Sequence, residues 1–175
     1  VGVYVAPGDR GDAAGGSGIK WVLIGLLGTR LGYPMILSGG RDEAPWLRPL
    51  EESWVGPTCS LIGRLDLGEL GALIRSAALL VTGNTGPAHI AAALGTPLVD
   101  LYALTNPQHT PWRVAHRLLF HDVSCRNCLR SLCPQDHHAC LDRLSPRTVA
   151  DAAADLLAEL HPRPARTNDE RLAFL

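Results

Sequence analysis

The stretch "ALLVTGNTGPAHIAAALGTPLVDLYA", residues 78–103, decides the fold. It opens on a short apolar run, "ALLVTG", of strand length. Polar and small residues follow, then Pro87, His89 and a run of alanines. Gly95-Thr96-Pro97 closes that run, and "PLVDLYA" is apolar again. Pro87 suits the first turn of a helix, Asn84 or Thr85 can cap it, and Gly95 can end it. The stretch therefore reads as strand, helix, strand. Two strands joined through a helix lie parallel in one sheet.

The same alternation extends in both directions. "VGVYV" and "PMILSGG" read as the first two strands, and "CSLIG" as a weak third. Between the first two, Ile19, Leu23, Leu26, Leu27 and Leu31 recur at helical spacing up to Gly32. Residues 41–57 are mixed, with a short helix expected around Trp46. "DLGELGALIRSA" is a helix capped by Asp66, with Glu69 completing a capping box. "RLLFHD" is a last strand. Val149, Ala153, Leu156, Leu157 and Leu160 mark a final helix entered through Ser145-Pro146. The expectation is an α/β fold: a Rossmann-like, doubly wound parallel sheet over residues 1–160, with residues 161–175 as a tail or return segment. Cys59, in an apolar context, is expected in the core.

Composition narrows the function. The chain has 175 residues, long enough for one domain with a real core. A net charge of -1 gives no electrostatic case for nucleic acid. No apolar run reaches the roughly 18 residues of a membrane span, and no signal peptide is visible. A cytoplasmic protein is expected. The first residue is Val1 and the single methionine is Met35, so a start inside a longer protein is also expected.

A doubly wound sheet in the order 3-2-1-4-5-6 binds ligands where its direction reverses, outside the carboxyl ends of strands 1 and 4. Here those ends are the loop Pro7–Gly18 and the turn Gly83–His89. A helix N-terminus attracts phosphate, and Gly83 and Gly86 let backbone approach a ligand closely. His89, about one turn in, can aim a ring N–H at the same anion; it can equally be a core histidine. Lys20, behind Gly15, Gly16, Ser17 and Gly18, can reach a phosphate as a point charge or be a solvated surface lysine. Neither a Walker loop nor a GxGxxG turn is present.

These residues carry a resemblance. "LIRSAALLVTGNTGPAHIAAALGTPLVDLYALTNP" (73–107) and "CRNCLRSLCPQDHHACLDRLSPRTV" (125–149) resemble segments of glycosyltransferase family 9, the ADP-heptose:lipopolysaccharide heptosyltransferases. Lys20-Trp21 and "GYPMILSGG" fall at matching places. The resemblance implies the C-terminal, donor-binding half of a two-domain GT-B enzyme, an inverting glycosyltransferase of lipopolysaccharide or related cell-surface glycan synthesis. It implies a nucleoside-diphosphate sugar, ADP-heptose-like, as ligand. The glycolipid or glycan acceptor and the catalytic base would belong to an N-terminal domain, so no catalytic residue is expected here. Lys20 and His89 would contact the diphosphate, Thr85 and Gly86 would donate to it, Asn84 would lie beside the sugar, and Glu43 would face the nucleoside. No cofactor is implied, and a peripheral place at the inner membrane is left open. Asn84 stands where the family has aspartate, Val22 where it has proline, and the loop 8–18 lacks the family's threonines. Two other readings remain: a non-catalytic nucleotide-binding module, and another GT-B enzyme such as a sugar-nucleotide epimerase.

Four of the five cysteines crowd into Cys125-x2-Cys128-x4-Cys133-x6-Cys140. They could hold zinc with His137 or His138, pair as disulfides, or pack as reduced thiols. The site itself calls for no metal. In each case the segment would fasten an irregular loop to the domain edge, away from the crevice.

Overall fold

The computed structural model describes residues 3–6 (as backbone), 31–45, 47–48, 58–103, 106–130, 133, 135 and 137–161. Six strands form one sheet: β1 (Val3–Ala6), β2 (Met35–Leu37), β3 (Thr58–Ser60), β4 (Leu79–Gly83), β5 (Leu98–Leu101) and β6 (His116–Leu119). Every pairing is parallel, and the order is β3-β2-β1-β4-β5-β6. The sheet thus reverses between β1 and β4, the order expected of a Rossmann-like sheet.

Helix α1 (Leu67–Ser76) leads into β4, and α2 (Gly86–Leu94) joins β4 to β5. A single turn, α3 (Ala139–Asp142), precedes the long α4 (Pro146–Leu160). The start of α1 is the expected capping box: Asp66 Oδ1 accepts the Glu69 N–H at 2.8 Å, and Glu69 Oε2 accepts the Asp66 N–H at 2.9 Å. Ser145 Oγ accepts the Thr148 N–H at the start of α4, with Pro146 in its first turn. Gly95 ends α2 at φ 74, a left-handed conformation that favours glycine. Leu31 is helical and Gly32 takes φ 63, which fits a helix ended by glycine; the body of that helix lies outside the described residues.

Side chains two apart on a strand share a face. Leu79, Val81 and Val99 pack with Val149, Ala150, Ala153, Leu156 and Leu157, so α4 covers one face of the sheet. Leu80 and Leu98 pack with Ile74, Ala88 and Ala91, so α1 and α2 cover the other. A sheet covered on both faces explains why "LLV" and "PLV" read as unbroken apolar runs rather than alternating ones. The alanines of α2 keep that helix close to the strands.

Two expectations change. The third strand begins at Thr58 rather than Cys59 and ends at Ser60; Gly63 turns the chain at φ 68, its N–H donating to the Gly39 carbonyl. Cys59 is exposed, not a core residue. It sits on the outer strand of the sheet, paired on one side only, where apolar neighbours in sequence do not guarantee cover. Ala44, Pro45, Leu47 and Arg48 are helical, as expected around Trp46.

Candidate functional site

The candidate site lies at the carboxyl end of β4, beside the reversal of the sheet. Thr85 is the residue that precedes α2, but its side chain forms no capping bond. Its N–H donates to the Gly83 carbonyl at 2.8 Å, and its hydroxyl reaches the same oxygen at 3.4 Å. Nor does Asn84 cap the helix. Both side chains expected as caps are drawn instead to other acceptors. Of the first-turn N–H groups, those of Ala88 and His89 donate to the Thr85 carbonyl, and Pro87 has none. The Gly86 N–H has no acceptor among the described residues, and space in front of it is open: a Cβ built there meets nothing within 4 Å. Gly86 is thus the one first-turn amide left to meet an anion at this helix start.

His89 is exposed, and no hydrogen bond of its ring is found among the described residues. That is not the setting of a core histidine. It stands on α2, the helix that packs on the Leu80 and Leu98 face of the sheet, the face Asp100 shares.

Asp100 is the residue that sequence reasoning missed. It shares a face with Leu98, the face covered by α2, and lies in register with Thr82 on β4. Its side chain is fully buried. One oxygen, Oδ2, accepts from Asn84 Nδ2 at 2.7 Å; the other, Oδ1, has no partner among the described residues. Burial pushes the carboxyl up to about 6, against the opposing pull of the Asn84 hydrogen bond and of His89 and His116. Asn84 Nδ2 donates a second bond to the His109 carbonyl at 2.9 Å. The amide therefore ties the β4–α2 turn both to β5 and to the 3-10 turn Pro107–His109 that follows it. A signal for Asp100 did exist: a lone acid inside the run "LVDL". Its partner lies 16 residues back, and only the β4–β5 register reveals it. This carboxylate is sealed from solvent behind the turn.

The structure brings together Asn84, Thr85, Gly86 and His89. Glu43 lies past the end of β2, and its Oε2 accepts the Gly40 N–H at 2.6 Å, closing a local cap. No hydrogen bond among the described residues joins it to the Asn84 turn. Lys20, Trp21, Val22 and the loop 7–18 lie outside the described residues.

The cysteine segment follows β6, the outer strand, two strands from β4. The His121 N–H donates to the Cys140 carbonyl at 2.7 Å, so the two ends of the segment meet. Cys125 Sγ lies 3.6 Å from His137 Nε2. Burial, with Cys133 and Cys125 nearby, raises the Cys140 thiol above its ordinary value. No disulfide joins the cysteines, and no cluster of three or more metal-type side chains is found, among the described residues. No helix among those residues is long and apolar enough to cross a membrane.

Comparison with known proteins agrees with this architecture. Residues 23–139 match glycosyltransferase family 9 (heptosyltransferase). The chain is 33% identical over 85 residues to lipooligosaccharide heptosyltransferase 2 of Campylobacter jejuni, an alignment of 47% of this chain and 27% of that protein. The fold superposes on a solved family 9 glycosyltransferase from Veillonella parvula with a TM-score of 0.72 and 25% identity, covering 89% of this chain and 46% of the other. It also superposes on the Escherichia coli ADP-heptose lipopolysaccharide heptosyltransferase II (TM-score 0.65, 20% identity, 90% and 47% coverage). The chain spans about a quarter of that curated relative's length and under half of each solved chain. It belongs to glycosyltransferase family 9, the heptosyltransferase family.

Proposed function

We propose that this chain is the donor-binding, C-terminal half of an inverting glycosyltransferase, and that its ligand is a nucleoside-diphosphate sugar of the ADP-heptose kind. The observation that carries the reading is the turn Gly83–His89: it sits at the carboxyl end of β4, beside β1, and presents the open Gly86 N–H together with an exposed histidine. That combination suits a diphosphate. The helix N-terminus carries partial positive charge, the amide and the imidazole offer N–H donors, and glycine leaves room for the anion. Lys20, which the sequence pattern assigns to the start of the helix expected after β1, would contact the same group.

In the reaction, an acceptor hydroxyl oxygen bonds to the anomeric carbon as that carbon's bond to the diphosphate oxygen breaks. The electron pair leaves with the nucleoside diphosphate, and the hydroxyl proton passes to a carboxylate of the other domain. The part assigned to this chain is to hold the departing diphosphate, where charge develops, through the Gly86 N–H, His89 and Lys20. The acceptor belongs to lipopolysaccharide or a related surface glycan, the setting in which named relatives act.

The test is calorimetric titration of the chain with ADP and UDP, with inorganic phosphate as control. Saturable binding of ADP, tighter than that of phosphate, is expected. Failure to bind either nucleotide would sink the reading.

A further inference from the structure

Asp100 sets a problem that stability does not solve. A buried carboxylate with one unpartnered oxygen is unfavourable, and an apolar residue of similar size on the same strand would be neutral or better. Its effect is geometric. The His109 carbonyl can only accept, and so can an ionised carboxylate, so the amide NH2 of Asn84 must face both. Both Asn84 donors are consumed. Its Oδ1 is the remaining polar atom, on a half-buried residue between the end of β4 and the start of α2, and it is not among the buried unpartnered atoms.

We propose that Asp100 is a positioning residue of the site: through Asn84 it fixes an acceptor oxygen at the crevice, and thereby governs recognition of a hydroxyl on the bound sugar rather than of the phosphates. The proposal rests on the donor-binding reading above. An acceptor oxygen repels phosphate and takes a hydrogen bond from a hydroxyl, so this position divides the ligand into its sugar and diphosphate parts. The carboxylate also polarises the amide and strengthens Oδ1 as an acceptor. The groups facing Asp100 are Asn84 from the turn, His89 from α2 and His116 from β6. Thr82, beside it on β4, spends its hydroxyl on the Gly83 carbonyl. With its carboxyl pushed up to about 6, Asp100 is charged at neutral pH and loses that charge in mild acid.

Calorimetric titration with ADP and with ADP-heptose, on the native chain, Asp100→Ala and Asp100→Asn, tests this alongside a melting curve for each. The native chain is expected to bind ADP-heptose more tightly than ADP. Asp100→Ala should remove that margin, about tenfold for one lost hydrogen bond, while ADP affinity stays within about twofold and the melting temperature holds or rises. The native margin should shrink as pH falls through about 6, and the margin of Asp100→Asn should be independent of pH. A margin that survives in both variants, or ADP and ADP-heptose weakening equally, overturns the proposal; if Asp100→Ala does not fold, the pH profile of Asp100→Asn decides. A native chain that binds ADP but shows no preference for ADP-heptose overturns it while sparing the donor-binding reading. A native chain that binds neither overturns both.

Discussion

At the scale of single residues, His89 and Asp100 differ in what they should do when changed. His89 is exposed, with no ring hydrogen bond among the described residues, so the fold does not depend on it. A charge-assisted bond to phosphate contributes roughly 1.5–3 kcal/mol, so His89→Ala should weaken ADP binding about tenfold or more and leave the melting temperature unchanged. Unchanged affinity with a lower melting temperature would remove His89 from the site. Asp100 should act on stability through pH. Its carboxyl titrates near 6 in the folded chain against 3.8 unfolded, so the folded state binds the proton more tightly. Its contribution is fully present below about pH 4 and is lost as pH rises to about 6, about 3 kcal/mol in all. Asp100→Asn should flatten that part of the profile, as denaturant melts at pH 4, 5, 6 and 7 would report.

Elements carry the fold, and here the sequence was most legible. Asp66 with Glu69, and Ser145 with Pro146, announced two helix starts by local chemistry that needs no distant partner. The apolar runs located every strand within a few residues. What local reading could not supply were pairings across the sheet. The third strand's outer position exposes Cys59, and the β4–β5 register sets Asn84 against Asp100 instead of the helix end. Glycine separates the two kinds of demand. Gly86→Ala places a methyl in open space at a helix start, so it should leave stability unchanged or slightly improved and weaken ADP binding. Gly95→Ala, at φ 74, should instead cost about 1 kcal/mol in a urea melt and leave ADP binding alone. If Gly86→Ala bound ADP as the native chain does, the anion would not lie over that amide.

For the whole molecule, strand order follows from chain order, because parallel crossovers through helices leave few arrangements. The place of the crevice follows from that order. The chemistry does not, because half of it is expected from another domain: among the described residues, the one carboxylate the structure adds to the site is sealed behind the turn. The chain is therefore expected to bind ADP-heptose and to transfer nothing from it. Incubation with ADP-heptose and a lipopolysaccharide-core acceptor, followed by mass spectrometry of the acceptor, should show no added sugar. A product peak would mean that a base lies within these residues.

The contact between Asn84 and Asp100 also constrains how the family can vary. At 2.7 Å, an acid at both positions would set two carboxylates against each other, and they could keep only one proton between them at neutral pH. An amide at both would abandon the charge. Relatives should therefore exchange acid and amide as a linked pair: those with aspartate at the position of Asn84 should carry a non-acidic residue at that of Asp100, and the reverse.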